Sequence, residues 1–421
     1  MKNIKDIRIN IPKYPKLIID TLEKNGYEAY IVGGCVRDSI LDNNPSDYDI
    51  TTNAKPNTIK ELFKRTIDTG IKHGTVTVLF YEDNKPFTYE VTTYRVDGEY
   101  DDARHPKDVK FVSDLKEDLL RRDFTINAMA YNDKSGLVDE FGGLVDLEKR
   151  IIRAVGDPIK RFTEDALRLL RAVRFSAKLG FEIDNETEDA IRKLSENLKY
   201  VSKERVQVEL TKTITSANPE YISKVFELGL SKYICDGFES ISCGRFEKYL
   251  PTHMAYACLL YNADVDIANK ILKELKLDNN NISKIIALLN AKNIYNTIKE
   301  FYNSKKRIDE MMAIKSLINY LNYDLTYEFL KLLHINGEDK VLLDRVCEFV
   351  NEYNNSKAPI FIRDLLINGN ELMDIGFKGL EIGVTLGALL KIVHKNRAYN
   401  DKKVLQEIAK KAYNYYKGGV I

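Results

Sequence analysis

The 421-residue sequence predicts an α+β protein, in which a small mixed β-sheet with helices is followed by an all-helical remainder. Two observations carry this prediction. Up to about residue 150, short runs rich in β-branched and aromatic residues alternate with helical patterns. From about Thr163 onward, apolar residues recur at three- and four-residue steps, and strand-like runs are absent.

The predicted N-terminal elements are short and closely spaced. Strands are predicted over four segments, Glu28–Val32, Tyr48–Thr51, Thr75–Tyr81 and Phe87–Val96. Helices are predicted over Cys35–Leu41 and Ile59–Arg65. The Gly33-Gly34 pair separates the first strand from the first helix, and the EDNKP segment predicts a turn between the last two strands.

Composition excludes several classes of protein. Hydrophobic residues make up 44% and charged residues 30% of the chain, which is typical of packed rather than disordered proteins. Because 64 Lys and Arg balance 63 Asp and Glu, any nucleic-acid surface must be a local basic face. No apolar run predicts a membrane span or a signal peptide, and the five cysteines include no CxxC pair. We therefore expect a cytoplasmic protein without a zinc site or disulfide framework.

The first candidate site begins in the segment YIVGGCVRD, over residues 30–38. At a turn from strand to helix, Gly33 and Gly34 would let backbone N–H groups approach a phosphate, whose charge the helix dipole favours. Arg37 would lie one turn into the helix, within reach of a phosphate oxygen. A lone glycine pair more often has only a structural role. The phosphate-binding interpretation therefore depends on the carboxylates that follow in the sequence.

Those carboxylates belong to the segment SDYDI. Asp47 and Asp49 are two residues apart on a predicted strand, so both side chains should project from one face. Adjacent carboxylates repel each other, and bound divalent cations remove that cost. Oxygen ligands of this kind suit Mg²⁺, with nucleotide phosphates as its remaining ligands. Glu90 is either a third catalytic carboxylate or an exposed strand residue.

The second candidate segment is LLRRDFTINA, over residues 119–128. Arg122 is a candidate clamp for a triphosphate or a ribose. Asp123 and Asn127 are four residues apart and are predicted to share one face of a helix. The alternative is an ordinary helix start with a polar face.

The third candidate segment is TEDALRLLRAVR, over residues 163–174, which predicts a helix with one polar stripe. The stripe repeats every three residues and consists of Asp165, Arg168, Arg171 and Arg174. Asp accepts hydrogen bonds and Arg donates them, so Asp165 with Arg168 could pair with cytosine or adenine and leave uracil or guanine unpaired. The alternative is a set of i,i+3 salt bridges on a solvated helix.

At these residues the sequence resembles the class II tRNA nucleotidyltransferase and bacterial poly(A) polymerase family of the DNA polymerase beta superfamily. The resemblance covers about residues 28–210, and its motifs run in family order. The matching segments are IVGGCVRDSILDNNPSDYDITT, EVTTYRVDGEYDDARHP, EDLLRRDFTINAMAYN, GLVDEFGGLVDLEKRIIRAVGDP, RFTEDALRLLRAVRFSAKLGF and, more weakly, VSKERVQVEL.

The resemblance implies a nucleotidyltransferase head over 1–145, a helical neck over 146–215 that recognises the nucleotide base, and a helical body and tail over 216–421 that bind tRNA. Asp47 and Asp49 would hold the catalytic metals. Gly34, Arg37 and Arg122 would bind the phosphates and ribose of the incoming nucleotide. The pocket for the nucleotide base would consist of Asp165, Arg168, Arg171 and Arg174.

The activity implied is addition of C, C and A to the 3′ end of tRNA from CTP and ATP, with Mg²⁺, without a membrane or a protein partner. A charged loop over Arg95–Pro106, at the length typical of the family, argues against an enzyme that adds C alone. Close alternatives are an A-adding enzyme and a poly(A) polymerase. Alternatives of other kinds are a catalytically silent RNA-binding protein and a nucleotide sensor.

Overall fold

The computed structural model of the protein describes residues 6–97, 109–356 and 358–417. It confirms the predicted α+β class, with a mixed sheet towards the N-terminus and helices after it. The chain divides into two compact units, Met1–Ser240 with Glu274–Lys276, and Ile241–Lys273 with Leu277–Ile421. The finer division into head, neck, and body with tail stays a prediction.

The strands of the first unit are short, and most belong to one seven-stranded sheet. They are β1 (Ala29–Val32), β2 (Asp49–Thr52), β3 (Thr66–Gly70), β4 (Thr75–Glu82), β5 (Lys85–Thr93), β6 (Arg95–Asp97), β7 (Val109–Phe111), β8 (Met129–Asn132), β9 (Gly136–Asp139), β10 (Ile151–Ile152) and β11 (Glu182–Ile183). The sheet order is β3-β4-β5-β2-β1-β8-β9, while β6 pairs with β7 and β10 with β11.

One pairing inside the large sheet is parallel and positions the candidate carboxylates. Strands β2 and β5 run parallel, with Ile50 opposite Val91. The residues immediately before this pair are Asp49 and Glu90, so the register brings these two side chains to the same face of neighbouring strands. The predicted strand over Tyr48–Thr51 is confirmed in place, although β2 begins only at Asp49.

The helices of the first unit flank this sheet and then continue the chain. They are α1 (Lys13–Lys24), α2 (Gly34–Ile40), α3 (Pro56–Leu62), α4 (Leu115–Leu120), α5 (Gly143–Lys149), α6 (Pro158–Glu164), α7 (Leu167–Leu179), α8 (Asn185–Leu194), α9 (Lys203–Ile214) and α10 (Ser223–Glu227). The prediction that strands are absent after Thr163 is wrong at β11, which pairs parallel with β10. Two residues are too few to produce a recognisable alternation.

From residue 252 to the end of the described part, the chain forms helices of 7 to 29 residues. They are α11 (Thr252–Leu259), α12 (Val265–Glu274), α13 (Asn279–Asn303), α14 (Arg307–Ile335), α15 (Lys340–Ser356), α16 (Gly369–Ile375), α17 (Leu380–Lys395) and α18 (Lys402–Lys417). Among the residues described, none of the helices has the length and apolar character needed to cross a bilayer.

Each unit has its own apolar core. In the first, Tyr30 and Val32 of β1 pack with Leu119 of α4 and the fully buried Tyr94. In the second, a cluster joins α16, α17 and α18 through residues that include Leu372, Leu386, Leu390, Val393 and Leu405. Burial of these side chains stabilises each unit by removing apolar surface from water.

Candidate active site

The turn between β1 and α2 leaves room for a neighbouring side chain to approach the backbone. Gly33 has φ 78° and ψ −126°, a conformation that residues with a Cβ rarely adopt. A Cβ added there would lie 3.2 Å from Nη1 of Arg122 and 3.6 Å from the carbonyl oxygen of Asn127. Because Gly33 has no Cβ, the guanidinium of Arg122 can approach the turn closely. This agrees with the predicted phosphate-binding role of the segment.

Arg37 is one turn into α2 and is 2% exposed. Its Nε donates to Oδ1 of Asp38 at 2.8 Å, and its Nη1 donates to Oδ1 of Asn127. The guanidinium also lies 5.3 Å from the ring centroid of Phe175 on α7. These contacts fix a buried cation beside the glycine turn.

Only one member of the predicted carboxylate pair lies on a strand. Asp49 is the first residue of β2, whereas Asp47 precedes the strand, so the two do not share one strand as predicted. A proline at 45 and the loop SDY delay the start of the strand. The pKa of Asp49 is raised by partial burial and, less, by the charge of Asp47, while Arg122 opposes the rise.

Glu90 of β5 responds to the same charges. Loss of hydration raises its pKa, and the charges of Asp49 and Asp47 raise it further. The described residues nevertheless contain no cluster of three or more His, Cys, Asp or Glu side chains close enough to hold a metal ion together. Glu90 therefore stays a predicted third carboxylate, supported by the strand register and by charge coupling.

Asp118 on α4 is a fully buried carboxylate that sequence reasoning missed. It accepts hydrogen bonds from Nε of Arg121 at 2.9 Å, from Nη2 of Arg122 at 3.2 Å and from Oγ1 of Thr51 at 3.0 Å. Burial alone would raise its pKa, but the two guanidinium groups outweigh burial and lower it. Asp118 thus holds Arg122 in place and ties it to β2, two residues after Asp49.

Replacing Asp118 with Asn is expected to lower the free energy of unfolding at pH 7 by about 3 kcal/mol, because two guanidinium groups lose a buried anionic partner. The folded state favours ionised Asp118, so its stabilisation is present above the unfolded pKa of about 3.9 and is lost as the pH falls through the lower folded-state pKa. Urea unfolding of both proteins at several pH values would measure this difference, which should shrink below about pH 4.

The exposed Asp133 is a suitable control, because its partner Lys16 is also exposed. Asp133→Asn should change the free energy of unfolding by less than about 1 kcal/mol. A deficit in Asp118→Asn that stayed the same at every pH would contradict the assigned charge pairing.

Asp123 and Asn127 are in contact, but not on a helix as predicted. Helix α4 ends at Leu120, and only Thr125–Asn127 form a single 3₁₀ turn. Arg121 caps the C-terminus of α4, and the side chains of Arg121 and Arg122 turn back to Asp118 on the helix. Asn127 Nδ2 donates to Oδ1 of Asp123 at 3.0 Å.

Asp123 also anchors the third candidate segment. Nε of Arg171 on α7 donates to Oδ2 of Asp123 at 2.9 Å. Burial would raise the pKa of Asp123, but Arg171 and the amide of Asn127 more than offset it and hold the pKa well below its usual range. This buried ion pair joins the segment after α4 to the face of α7 that carries the predicted base pocket.

The predicted single helix over residues 163–174 is interrupted at Asp165. Helix α6 ends at Glu164, Asp165 is extended (φ −143°, ψ 103°), and α7 begins at Leu167. Oδ1 of Asp165 accepts from the backbone N–H of Leu167 at 3.1 Å, the kind of contact that starts a helix. The three-residue spacing is the same whether Asp165 lies on the helix or caps its N-terminus, so the sequence pattern did not reveal the break. Leu170 and Val173 of α7 are buried.

Both members of the predicted base-reading pair bind protein groups. Oδ2 of Asp165 accepts from Nη2 of Arg205 on α9 at 2.9 Å. Nη1 of Arg168 donates to the carbonyl oxygen of Arg161 and to Oε2 of Glu164, and its Nη2 donates to the carbonyl oxygen of Arg121. Arg168 is therefore held rigidly between α6 and the end of α4.

Helix α9 supplies two residues that contact the candidate site and that sequence reasoning missed, Arg205 and Glu209. The buried Glu209 pairs with Nε of Arg174 at 2.8 Å and with Nη1 of Arg171 at 3.7 Å. Arg205 and Glu209 are four residues apart, hence on one face of α9. Both residues belong to the segment VSKERVQVEL, which resembles the family only weakly. The signal that could have identified them is the spacing of two charged residues, four apart, on one helix.

Most of the candidate residues line one cavity of about 450 Å³, in the size range of small-molecule sites. Eight basic residues and three aspartates face it, so it favours a polyanionic ligand. The lining consists of Gly33, Gly34, Arg37, Asp49, Arg121, Arg122, Asp123, Asn127, Asp165, Leu167, Arg168, Arg171, Arg174, Phe175, Lys178 and Arg205. Asp47 and Glu90 are not part of this lining. The Arg95–Pro106 loop lies largely outside the described residues.

Family models match two segments of this chain, and known proteins match most of its length. Residues 29–153 match the Poly A polymerase head domain, and residues 180–241 match a probable RNA and SrmB-binding site of polymerase A. A CCA-adding enzyme of Bacillus pumilus is 34% identical over 93% of this chain and 94% of its own length. A CCA-adding enzyme of Ligilactobacillus salivarius is 38% identical over 96% and 98%.

A solved structure is similar along nearly the whole chain. The Bacillus stearothermophilus CCA-adding enzyme in complex with CTP aligns with a TM-score of 0.78 at 28% identity, covering 97% of this chain and all of the other. Together with the full-length relatives and the polar cavity that gathers the predicted residues, this similarity shows that the chain belongs to the family of CCA-adding enzymes, the tRNA nucleotidyltransferases.

Proposed function

We propose that the protein adds C, C and A to the 3′ end of tRNA from CTP and ATP, without a nucleic-acid template. The observation that carries the proposal is that a carboxylate from the predicted metal pair, the phosphate clamps and the base-reading pair all line one cationic cavity. Similar proteins named CCA-adding enzymes, one of them solved with CTP, support the same reaction.

Asp47 and Asp49, with Glu90 as a third carboxylate, are proposed to hold Mg²⁺. Their oxygens are ligands that this ion prefers. Burial raises the pKa of Asp49 and of Glu90, the neighbouring carboxylate charges raise both further, and a bound cation would stabilise the ionised forms. When bound, magnesium would lower the pKa of the tRNA 3′-hydroxyl and offset negative charge on the triphosphate.

The phosphate-binding residues position the reacting groups. The backbone of Gly33 and Gly34, with Arg37 and Arg122, is proposed to hold the triphosphate and ribose. The tRNA 3′-oxygen then attacks the α-phosphorus, the bond from that phosphorus to the bridging oxygen breaks, and pyrophosphate leaves. Correct placement and charge stabilisation supply most of the rate enhancement in such transfers.

Base selection is assigned to the pair Asp165 and Arg168. Cytosine and adenine each present an amino donor beside a ring acceptor, which an Asp–Arg pair satisfies, and uracil and guanine present the reverse. Asp165 would exchange its bond with Arg205 for the base amino group. Arg171 and Arg174, held by Glu209, would complete the pocket, with Asp123 and Asn127 supporting it.

The helical residues over 216–421 are proposed to bind tRNA. The basic residues near the C-terminus, which are all exposed, could contact its phosphates or form only a solvated face. They are Lys391, Lys395, Arg397, Lys402, Lys403, Lys410 and Lys411.

The function is tested by incubating the purified protein and Mg²⁺ with tRNA that lacks its terminal CCA, and with labelled CTP or ATP separately. We expect CTP to be incorporated first, followed by ATP once two C residues are present. Incorporation of ATP alone would instead indicate an A-adding enzyme or a poly(A) polymerase. Binding of tRNA or nucleotide without any incorporation would indicate the silent RNA-binding protein or the nucleotide sensor.

A further inference from the structure

The second unit contains a cavity of about 320 Å³ that the reaction proposed above does not use. It lies beside a kink in α14, the C-terminal end of α15 and the segment that leads into the 3₁₀ turn Ile362–Asp364. Aromatic, amide and arginine side chains face it. The lining consists of Tyr323, Tyr353, Asn354, Ala358, Pro359, Phe361, Arg363, Asp364, Arg397 and Asn400.

The kink places the first aromatic ring of this cavity. Asn322 has φ 65° and ψ 175°, a conformation that is almost confined to glycine, so the two halves of α14 change direction there. Oδ1 of Asn322 accepts from the backbone N–H of Leu325 at 3.0 Å and restarts the helix. Tyr323, the first residue after the kink, lines the cavity as a result.

Aromatic rings form one wall. Tyr323 and Phe361 meet edge to face, with ring centroids 5.8 Å apart at 78°. The guanidinium of Arg363 lies 4.6 Å from the centroid of Phe361. An aromatic wall with a stacked guanidinium is the surface on which proteins place unstacked nucleobases.

Tyr353 supplies a polar group that the protein leaves unused. The residue is 5% exposed, and its hydroxyl has no hydrogen-bond partner among the residues described. Burial raises the pKa of Tyr353 to about 12, so the hydroxyl stays neutral and can donate as well as accept. A buried hydroxyl without a partner is costly, and a ligand with a polar edge would satisfy it.

The charged side chains that line the cavity are two arginines and one aspartate, so their net charge is positive. Oδ2 of Asp364 already accepts from the backbone N–H groups of Ile360 and Phe361, at 2.9 and 2.8 Å. Arg363 and Arg397 are exposed and line the cavity. The cavity therefore offers a flat apolar wall, a buried hydroxyl and two cations, which match a base, its polar edge and a phosphate.

We propose that this cavity binds one unpaired nucleotide of the tRNA, with its base against Tyr323 and Phe361, its polar edge at the Tyr353 hydroxyl and its phosphate at Arg363 and Arg397. The proposal rests on the proposed function, which makes tRNA the substrate. It adds a specific recognition site in the second unit, and loops of tRNA supply the unpaired bases that such a site requires.

Three variants of the full-length protein test the proposal. Phe361→Leu and Arg363→Gln should each raise the Kd for tRNA about tenfold, and Tyr353→Phe about threefold. Arg363→Gln should also reduce the slope of log Kd against log salt by about 1. Incorporation of CTP into an acceptor-stem duplex without loops should be unchanged in all three.

Arg307→Gln is the matched control, because Arg307 is an exposed arginine of α14 that does not line the cavity. Its Kd for tRNA should stay close to that of the parent protein. Cross-linking of tRNA carrying 4-thiouridine should label the peptide with Tyr323 or Phe361, and Phe361→Leu should reduce that label.

Three outcomes would overturn the proposal. One is an unchanged Kd for tRNA in Phe361→Leu and Arg363→Gln. Another is an equal loss of activity on the loopless duplex, which would indicate a general structural defect. The third is binding of free AMP or CMP that depends on Arg363 while tRNA affinity does not, which would assign the cavity to a free nucleotide. Failure of the proposed function would instead appear as absent incorporation into both RNAs by the parent protein.

Discussion

Asp47→Asn and Asp49→Asn are each expected to lower the rate of nucleotide incorporation at least about a thousandfold. Asn keeps the shape of the side chain but carries no charge to bind Mg²⁺. The Kd for tRNA should be nearly unchanged, because neither residue belongs to the helical part proposed to bind tRNA. Single-turnover incorporation of CTP into tRNA lacking CCA, together with direct tRNA binding, would measure both quantities.

Asp83→Asn provides the control within the same sheet. Asp83 is exposed in the turn between β4 and β5 at φ 50°, and Asn tolerates that conformation as well as Asp does. This variant should retain full activity. Near-normal incorporation by Asp47→Asn with Mg²⁺ would show that the metal assignment is wrong.

Asp165→Ala is expected to reduce discrimination of CTP over UTP about a hundredfold or more. The acceptor for the base amino group is lost, so the pocket no longer favours a base that presents an amino donor beside a ring acceptor. The change should appear in the ratio of kcat/KM for CTP and UTP, with little change in tRNA affinity.

Asp189→Asn, at an exposed position on α8, is the control for Asp165→Ala and should leave base discrimination intact. Asp165 also accepts from the N–H of Leu167 and from Arg205, so an unfolding curve should accompany the kinetics. If Asp165→Ala folded normally and still rejected UTP as well as the parent protein, the base-reading assignment would fail.

The sequence was most informative where function depends on local geometry. The strand, glycine turn and helix of the YIVGGCVRD segment occur as β1, Gly33 and α2, because a Gly-Gly break and flanking apolar residues leave few alternatives. The turn between Thr75–Tyr81 and Phe87–Val96 was likewise predictable and occurs at Asp83 and Asn84. Each of these features needs only neighbours along the chain.

Features that depend on distant residues were not predictable. Asp165 was assigned to a helical stripe, yet its partner Arg205 is forty residues later, on α9. Asp118 directly precedes the candidate segment over residues 119–128, and only the fold shows that it is fully buried and bonded to Arg121, Arg122 and Thr51. In both cases the role of a carboxylate comes from what the fold packs against it.

The ion pair between Asp123 and Arg171, with the bond from Arg168 to the carbonyl of Arg121, has a consequence for protein engineering. If Asp165 and the α7 arginines select C and A as proposed, grafting α7 alone into another polymerase would not transfer that selectivity, since the grafted arginines would lose the anchors that orient them. A chimera that keeps these anchors would have to contain residues 118–127 and α9 together with α7.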